Sequence, residues 1–249
     1  MSAGSGEPRP AATFDDALAA AEGVEGWLSD GQARVLWERA RAVPPGGLVV
    51  EIGSFRGRSA IVMARALADG ARLVAIDPHA GGDRGPRQIR GSAEEGEADH
   101  AAFHANLART VVAGRVRHVR RPSLEALAEV GGEVDLLYVD GAHRLGPARA
   151  DLVRWGARLR PGGTLLVHDA FSSVGVTLAL LSSLVFGGRF VYAGRERSLA
   201  EYRRVGAALS PAERARNAAR QLVQLPWFAR NLALKAGLVA RLRSGDWPY

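Results

Sequence analysis

Between Leu48 and Val167 five short apolar runs are separated by four stretches with helical spacing, and that alternation leaves the chain few ways to fold. The runs are 48–52, 72–76, 116–119, 135–139 and 164–167, and the helical stretches between them are 58–67, 98–110, 124–130 and 147–159. Strands separated by helices cannot pair as hairpins; right-handed crossovers lay them side by side in a parallel sheet with helices on both faces. After a helix at 174–184, segments 190–193 and 199–204 read as a closing strand pair. The expected fold class is therefore α/β: a doubly wound, mostly parallel seven-stranded sheet with extra N- and C-terminal helices. Upstream, Ser29 and Gln32 have capping-box spacing, and Ala33, Leu36, Trp37 and Ala40 continue at helical intervals until Pro44, Pro45, Gly46 and Gly47 end the pattern. Residues 1–25, rich at their start in Gly, Pro and Ala, are expected to be poorly ordered, 26–209 to form the α/β domain, and 210–249 a basic helical tail.

Composition narrows the chemistry. With no cysteine among 249 residues, disulfides, thiolate zinc sites and cysteine nucleophiles are excluded. No apolar run reaches membrane-spanning length and no secretory leader is visible, so the expectation is a cytoplasmic protein. The net charge is +7. The tail from Ser210 holds seven basic residues against Glu213 and Asp246 and so carries five of those surplus charges. The body is nearly neutral, and without a basic patch interleaved with aromatics it gives no reason to expect a nucleic-acid partner.

The first strand runs into a glycine turn, Glu51-Ile52-Gly53-Ser54-Phe55-Arg56-Gly57, and then a helix. Gly53 and Gly57 allow a sharp turn with positive φ, and the helix start offers unpaired N–H groups to a carboxylate or phosphate. Tight turns need glycine in many α/β proteins, so the motif alone is weak. Asp77 ends the second strand 26 positions after Glu51, where a carboxylate can accept from ribose hydroxyls or cap the next turn. Glu51 would repel a diphosphate and suit an ammonium or a sulfonium, which favours a nucleoside cofactor other than NAD.

The fourth strand ends Val139-Asp140-Gly141-Ala142-His143 and the fifth His168-Asp169. In a parallel sheet these ends share one rim, so Asp140, His168 and Asp169 could ligate a divalent cation while His143 acts as general base. Strand-end capping by the acids is the simpler alternative. The insertion 79–97, with five glycines, lies where a lid would be useful or is only a tolerated surface loop.

These motifs, with Arg160-Pro161-Gly162-Gly163-Thr164, resemble class I S-adenosylmethionine-dependent methyltransferases over about 26–204. The chain is most similar to the macrocin-type sugar O-methyltransferase branch. The resemblance implies a Rossmann-like methyltransferase fold and S-adenosyl-L-methionine held by Glu51, Gly53, Ser54, Gly57, Asp77, Ser123 and Asp140. It implies a divalent cation (Mg, Mn or Fe) on Asp140, His168 and Asp169, and His143 as the catalytic base. His168 departs from the acidic residue the family would place there: either an imidazole shifts preference from magnesium toward manganese, iron or zinc, or no metal binds. The implied partner is a small-molecule hydroxyl acceptor, a sugar or secondary metabolite. A hydroxylase or a non-catalytic nucleoside-binding protein on the same scaffold, and an NAD-dependent oxidoreductase, are the alternatives.

In the tail, Leu222, Leu225, Phe228, Leu232, Val239 and Leu242 recur at helical steps opposite Arg216, Arg220, Arg230, Lys235, Arg241 and Arg243, with a break at Pro226. Such a helix packs its apolar face on its own domain or on a second copy in a homodimer. Contact with an anionic membrane surface, through Trp227, Trp247 and Tyr249, is the other reading.

Overall fold

A computed structural model describes residues 13–82 and 91–240. Seven strands, β1 (Leu48–Ile52), β2 (Arg72–Ile76), β3 (Val116–Val119), β4 (Val134–Val139), β5 (Leu159–Val167), β6 (Phe190–Glu196) and β7 (Leu199–Arg204), form one sheet. Its order is β3-β2-β1-β4-β5-β7-β6. The first five strands pair in parallel, while β7 runs antiparallel to both β5 and β6. The chain thus steps outward from β1 to β3 and then restarts at β4 on the other side of β1. A crevice opens where such a sheet reverses its order, outside the carboxyl ends of β1 and β4.

Burial on both faces explains why β1 is a continuous apolar run rather than an alternating one. Leu48, Val50 and Ile52 join one core with Leu152, Trp155 and Phe171, while Val49 joins another with Leu36, Ile61, Met63 and Phe103. Each such side chain contributes roughly 1.5–3 kcal/mol by leaving water. Helices α1 (Phe14–Ala20), α2 (Asp30–Arg41), α3 (Arg58–Ala66) and α4 (Ala93–Arg109) supply the second core. Helices α5 (Ser123–Ala126), α6 (Leu145–Arg154) and α7 (Val174–Leu180) supply the first.

Four boundaries differ from the sequence expectation, each for a local reason. Within the segment expected to be poorly ordered, α1 forms because Thr13 and Asp16 make a reciprocal capping box and Phe14 and Ala17 are buried; residues 1–12 of that segment lie outside the described residues. Helix α4 starts five residues early, at a capping box between Ser92 and Glu95, which takes Ala93 to Glu97 out of the expected loop. Residues 83–90, the middle of that loop, lie outside the described residues. Helix α6 stops at Arg154, and a single 3₁₀ turn over Gly156–Arg158 leads into a β5 five residues longer at its start than expected. Helix α5 is only one turn long.

The tail folds as α8 (Pro211–Leu222) and α9 (Leu225–Val239). Trp227 and Phe228 pack against the domain core, and Arg195 lies over the Trp227 ring at 3.9 Å. Beyond them α9 turns polar groups inward. Asn231 is fully buried and donates to the Phe171 carbonyl, and Lys235 Nζ donates to the Ser172 carbonyl and hydroxyl at 2.9 and 3.0 Å. Leu232 and Val239, expected on the packed face, are 44% and 69% exposed. Leu242, Arg241, Arg243, Trp247 and Tyr249 lie outside the described residues. Among the described residues, no helix is long and apolar enough to cross a membrane.

Candidate active site

A cavity of about 410 Å³ opens at the carboxyl ends of β1, β2, β4 and β5, lined by Gly53, Asp77, Asp140 and His168 from those ends and by Trp27, Phe55, His79, Pro122, Ser123, His143, Asp151 and Asp169 around them. Gly53 adopts φ +86°, and a Cβ there would overlap the Asp140 carbonyl oxygen. Its glycine is thus required by the close approach of β4 to β1, as well as by the turn. Gly57, at φ +89°, is the N-cap of α3, and a Cβ would press 3.1 Å from the Phe103 ring.

Asp77 holds the glycine loop in shape. Its Oδ2 accepts from the backbone N–H of Ser54 (3.0 Å) and Phe55 (2.8 Å), and its Oδ1 from that of His79 (2.8 Å). A carboxylate has about four lone-pair sites, so a ligand hydroxyl would share an acid already committed to the main chain.

Three of the residues expected to hold the cofactor do not line the cavity: Glu51, Ser54 and Gly57. Glu51 is fully buried behind the loop, where its carboxyl accepts from the Ser59 hydroxyl on α3. Burial, opposed by that hydrogen bond, pushes its pKa up to about 8, so the group is mostly neutral at pH 7. Glu51 thus stands behind the loop and not on the cavity wall. Strand alternation turned its side chain from the side of Val50 and Ile52 toward that of Val49. Ser123 lines the cavity without capping its helix; its hydroxyl donates to Asp151, whose carboxyl burial raises to about 6 against that bond.

The two rims do converge. His143 Nε2 lies 3.0 Å from Asp169 Oδ2, and His168 Nδ1 lies 3.1 Å from Asp140 Oδ1 and 3.7 Å from Asp169 Oδ2. The Tyr138 hydroxyl donates to Asp140 Oδ2 at 2.9 Å. Burial works against charge on both imidazoles, but the neighbouring carboxylates outweigh it. His143 is held above its ordinary range, and His168 is pushed up to about 10. Asp169 is correspondingly held well below its ordinary range against its own burial, by the two histidines. It also sits at φ +54°, a strained conformation for a residue with a Cβ and one often found at functional sites.

A divalent cation fits this donor set. Asp140, His143 and Asp169 each bring a donor atom within 4.8 Å of the others, so His143 stands in this group where His168 was expected. His168 Nε2 and Asp169 Oδ1 are buried without a hydrogen-bond partner among the described residues, while His168 Nδ1 faces the Asp140 carboxylate. Mixed imidazole and carboxylate donors suit manganese, iron or zinc better than magnesium.

Sequence reasoning missed Trp27, His79 and Asp151. Trp27 stacks on Phe55 with ring centroids 5.3 Å apart, and His79 Nε2 donates to the Phe55 carbonyl at 2.7 Å. None carries a spacing signal, because each reaches the cavity from a different element.

Residues 50–170 match a family model described as a methyltransferase domain. Among solved structures, the chain is similar to a Klebsiella pneumoniae protein provisionally assigned as an O-methyltransferase, at 18% identity and a TM-score of 0.57 over 81% of this chain and 92% of that one. It is also similar to a Bacillus cereus O-methyltransferase solved with S-adenosylhomocysteine, at 16% identity and a TM-score of 0.52 over 77% and 90%. A third is the O-methyltransferase TomG of Streptomyces achromogenes, involved in tomaymycin synthesis and solved with S-adenosylmethionine, at 21% identity and a TM-score of 0.50 over 81% and 92%. These likenesses establish the Rossmann-like methyltransferase fold.

Proposed function

We propose that this chain, an S-adenosylmethionine-dependent methyltransferase by its domain and fold, methylates a hydroxyl oxygen of a small polyhydroxylated acceptor such as a sugar or secondary metabolite. The observation that carries the oxygen chemistry is the His143–Asp169 pair at the cavity wall. A hydroxyl is a weak nucleophile at neutral pH, and a raised imidazole pKa makes His143 the stronger base for it. As the acceptor oxygen bonds to the methyl carbon, the carbon–sulfur bond breaks with its electron pair returning to sulfur. The hydroxyl proton passes to His143, whose Nε2 is turned to Asp169, so that Nδ1 takes it. Asp169 orients the ring and balances the imidazolium. Base catalysis of this kind gives on the order of a hundred- to ten-thousand-fold, and holding the two reactants in line supplies much of the rest.

The nucleoside would lie across Gly53 and Asp77, with its base toward Pro122, Ser123 and Asp151. The Trp27 and Phe55 rings offer a flat apolar wall on which the carbon face of a sugar ring can rest. A cation, when bound, would be held by Asp140, His168 and Asp169 and would favour the acceptor oxyanion. The macrocin-type resemblance supports the polyhydroxylated acceptor.

Calorimetric titration with S-adenosylmethionine and NAD, followed by transfer of labelled methyl to a panel of glycosides and polyols, tests the reading. Binding of S-adenosylmethionine together with base-stable methyl ether products on oxygen is expected. Binding without transfer to any member would favour a non-catalytic nucleoside-binding protein instead.

A further inference from the structure

Four of the six histidines of the chain gather away from the two rims, at the outer side of the cavity wall: His79 after β2, His100 and His104 on α4, and His118 on β3. His100 and His104 are one helical turn apart, so their rings share a face of α4. We propose that His100, His104 and His118 form a binding site for a zinc-class divalent ion that ties α4 to β3 beside the cofactor cavity.

Three observations carry this. The donor atoms of the three imidazoles all lie within 4.8 Å of one another, and His100 Nε2 and His104 Nε2 are 3.1 Å apart. Tetrahedral ligands at a zinc–nitrogen bond of about 2.05 Å stand about 3.3 Å from each other, so the pair needs little movement to share an ion. One opposite ring nitrogen is positioned as a metal-bound histidine requires. His118 Nε2 lies 3.2 Å from the Asp77 carbonyl, which can only accept, so that nitrogen carries the proton and Nδ1 the lone pair. His100 Nδ1 has the Glu97 carboxylate at 3.5 Å and an Arg120 donor at 3.4 Å, so its proton is set by which of the two it meets, and Nε2 is the atom facing His104. Finally, His104 is exposed and His100 and His118 are half-buried, which leaves an entry path and room for water as a fourth ligand.

His79 is excluded from the ligand set, since its Nε2 donates to the Phe55 carbonyl. Its ring packs at 5.3 and 5.0 Å from those of His100 and His118, so an ion held there would brace a residue that lines the cavity. Three imidazoles and no thiolate suit zinc, cobalt or nickel, and the site is separate from the carboxylate-rich rim at Asp140 and Asp169.

The test uses the full chain without an affinity tag, freed of metal and titrated with zinc alone. His104→Ala, at an exposed position, and the double variant His100→Ala/His104→Ala should each weaken one zinc-binding event by at least about a hundredfold. Asp140→Asn should leave that event intact. With the rim disabled by Asp140→Asn, zinc should still raise the melting temperature, and adding His100→Ala/His104→Ala to that variant should abolish the rise, because an ion that binds only the folded state stabilises it. Equal zinc stoichiometry and affinity in the wild type and the double variant, or loss of the event in Asp140→Asn alone, would overturn the proposal.

Discussion

Glu51 and His143 show how one ionisable residue serves the scaffold and another the chemistry. Because Glu51 is raised to about 8 in the folded chain from an ordinary value of 4.5, its protonated form is favoured by folding. That contribution is whole below about pH 4.5 and is lost as pH rises through 8. Urea unfolding of the wild type should therefore show stability falling by on the order of a few kcal/mol between pH 5 and pH 8.5, with a flatter profile in Glu51→Gln. The same substitution should leave S-adenosylhomocysteine affinity within about threefold by calorimetry, as expected of a side chain behind the loop rather than in the cavity. A large loss of affinity would restore Glu51 to the binding site. For His143→Ala, turnover should drop by roughly a hundred- to ten-thousand-fold while S-adenosylhomocysteine binding is retained. Unchanged turnover would remove it from the mechanism, and loss of bound metal in that variant would make it a ligand instead of the base.

At the level of elements, the site depends on close approaches between backbones. A Cβ on Gly175, in the first turn of α7, would overlap the His143 carbonyl oxygen, so that glycine lets α7 pack under the loop carrying the base. Gly175→Ala should push that loop outward and lower turnover by about tenfold or more, since small misplacements of a catalytic group are costly, while the nucleoside end of the cavity is spared. A steady-state comparison of turnover with S-adenosylhomocysteine affinity would separate the two effects, and equal losses in both would point to general unfolding. Gly53 plays the matching part between β1 and β4. Its requirement was visible in the sequence as a glycine after a strand, but the partner that imposes it, the Asp140 carbonyl, belongs to a strand more than eighty residues away.

On the scale of the whole molecule, the tail meets the active site. Lys235 and Asn231 on α9 bind the carbonyls of Ser172 and Phe171, in the loop that follows Asp169. A chain truncated after Gln224 should lose turnover, with S-adenosylhomocysteine affinity less affected, because that loop would lose its outer support. Turnover equal to that of the full chain would show that the contacts are dispensable. The exposed Leu232 and Val239 leave an apolar strip on the outer side of α9. We propose that a second copy of the chain covers it. Sedimentation should show a dimer for the full chain and a monomer for the truncated one, and a monomeric full chain that pellets with vesicles of anionic lipid would overturn this.

What the sequence determined by itself was the fold and the meeting of the rims. Both are written locally, in apolar runs of strand length, in helix caps such as Ser29 with Gln32, and in acids and histidines just past the ends of β4 and β5. Right-handed crossovers then leave Asp140 and Asp169 only one shared edge to occupy. Tertiary structure alone decided which way each side chain turned and what it met. It placed Glu51 behind the sheet edge, committed Asp77 to the glycine loop, brought Trp27 and Asp151 to the cavity, and gathered His100, His104 and His118 from a helix and a distant strand. Those outcomes depend on contacts between residues far apart in the chain, and no local pattern encodes the distance at which two such side chains will finally stand.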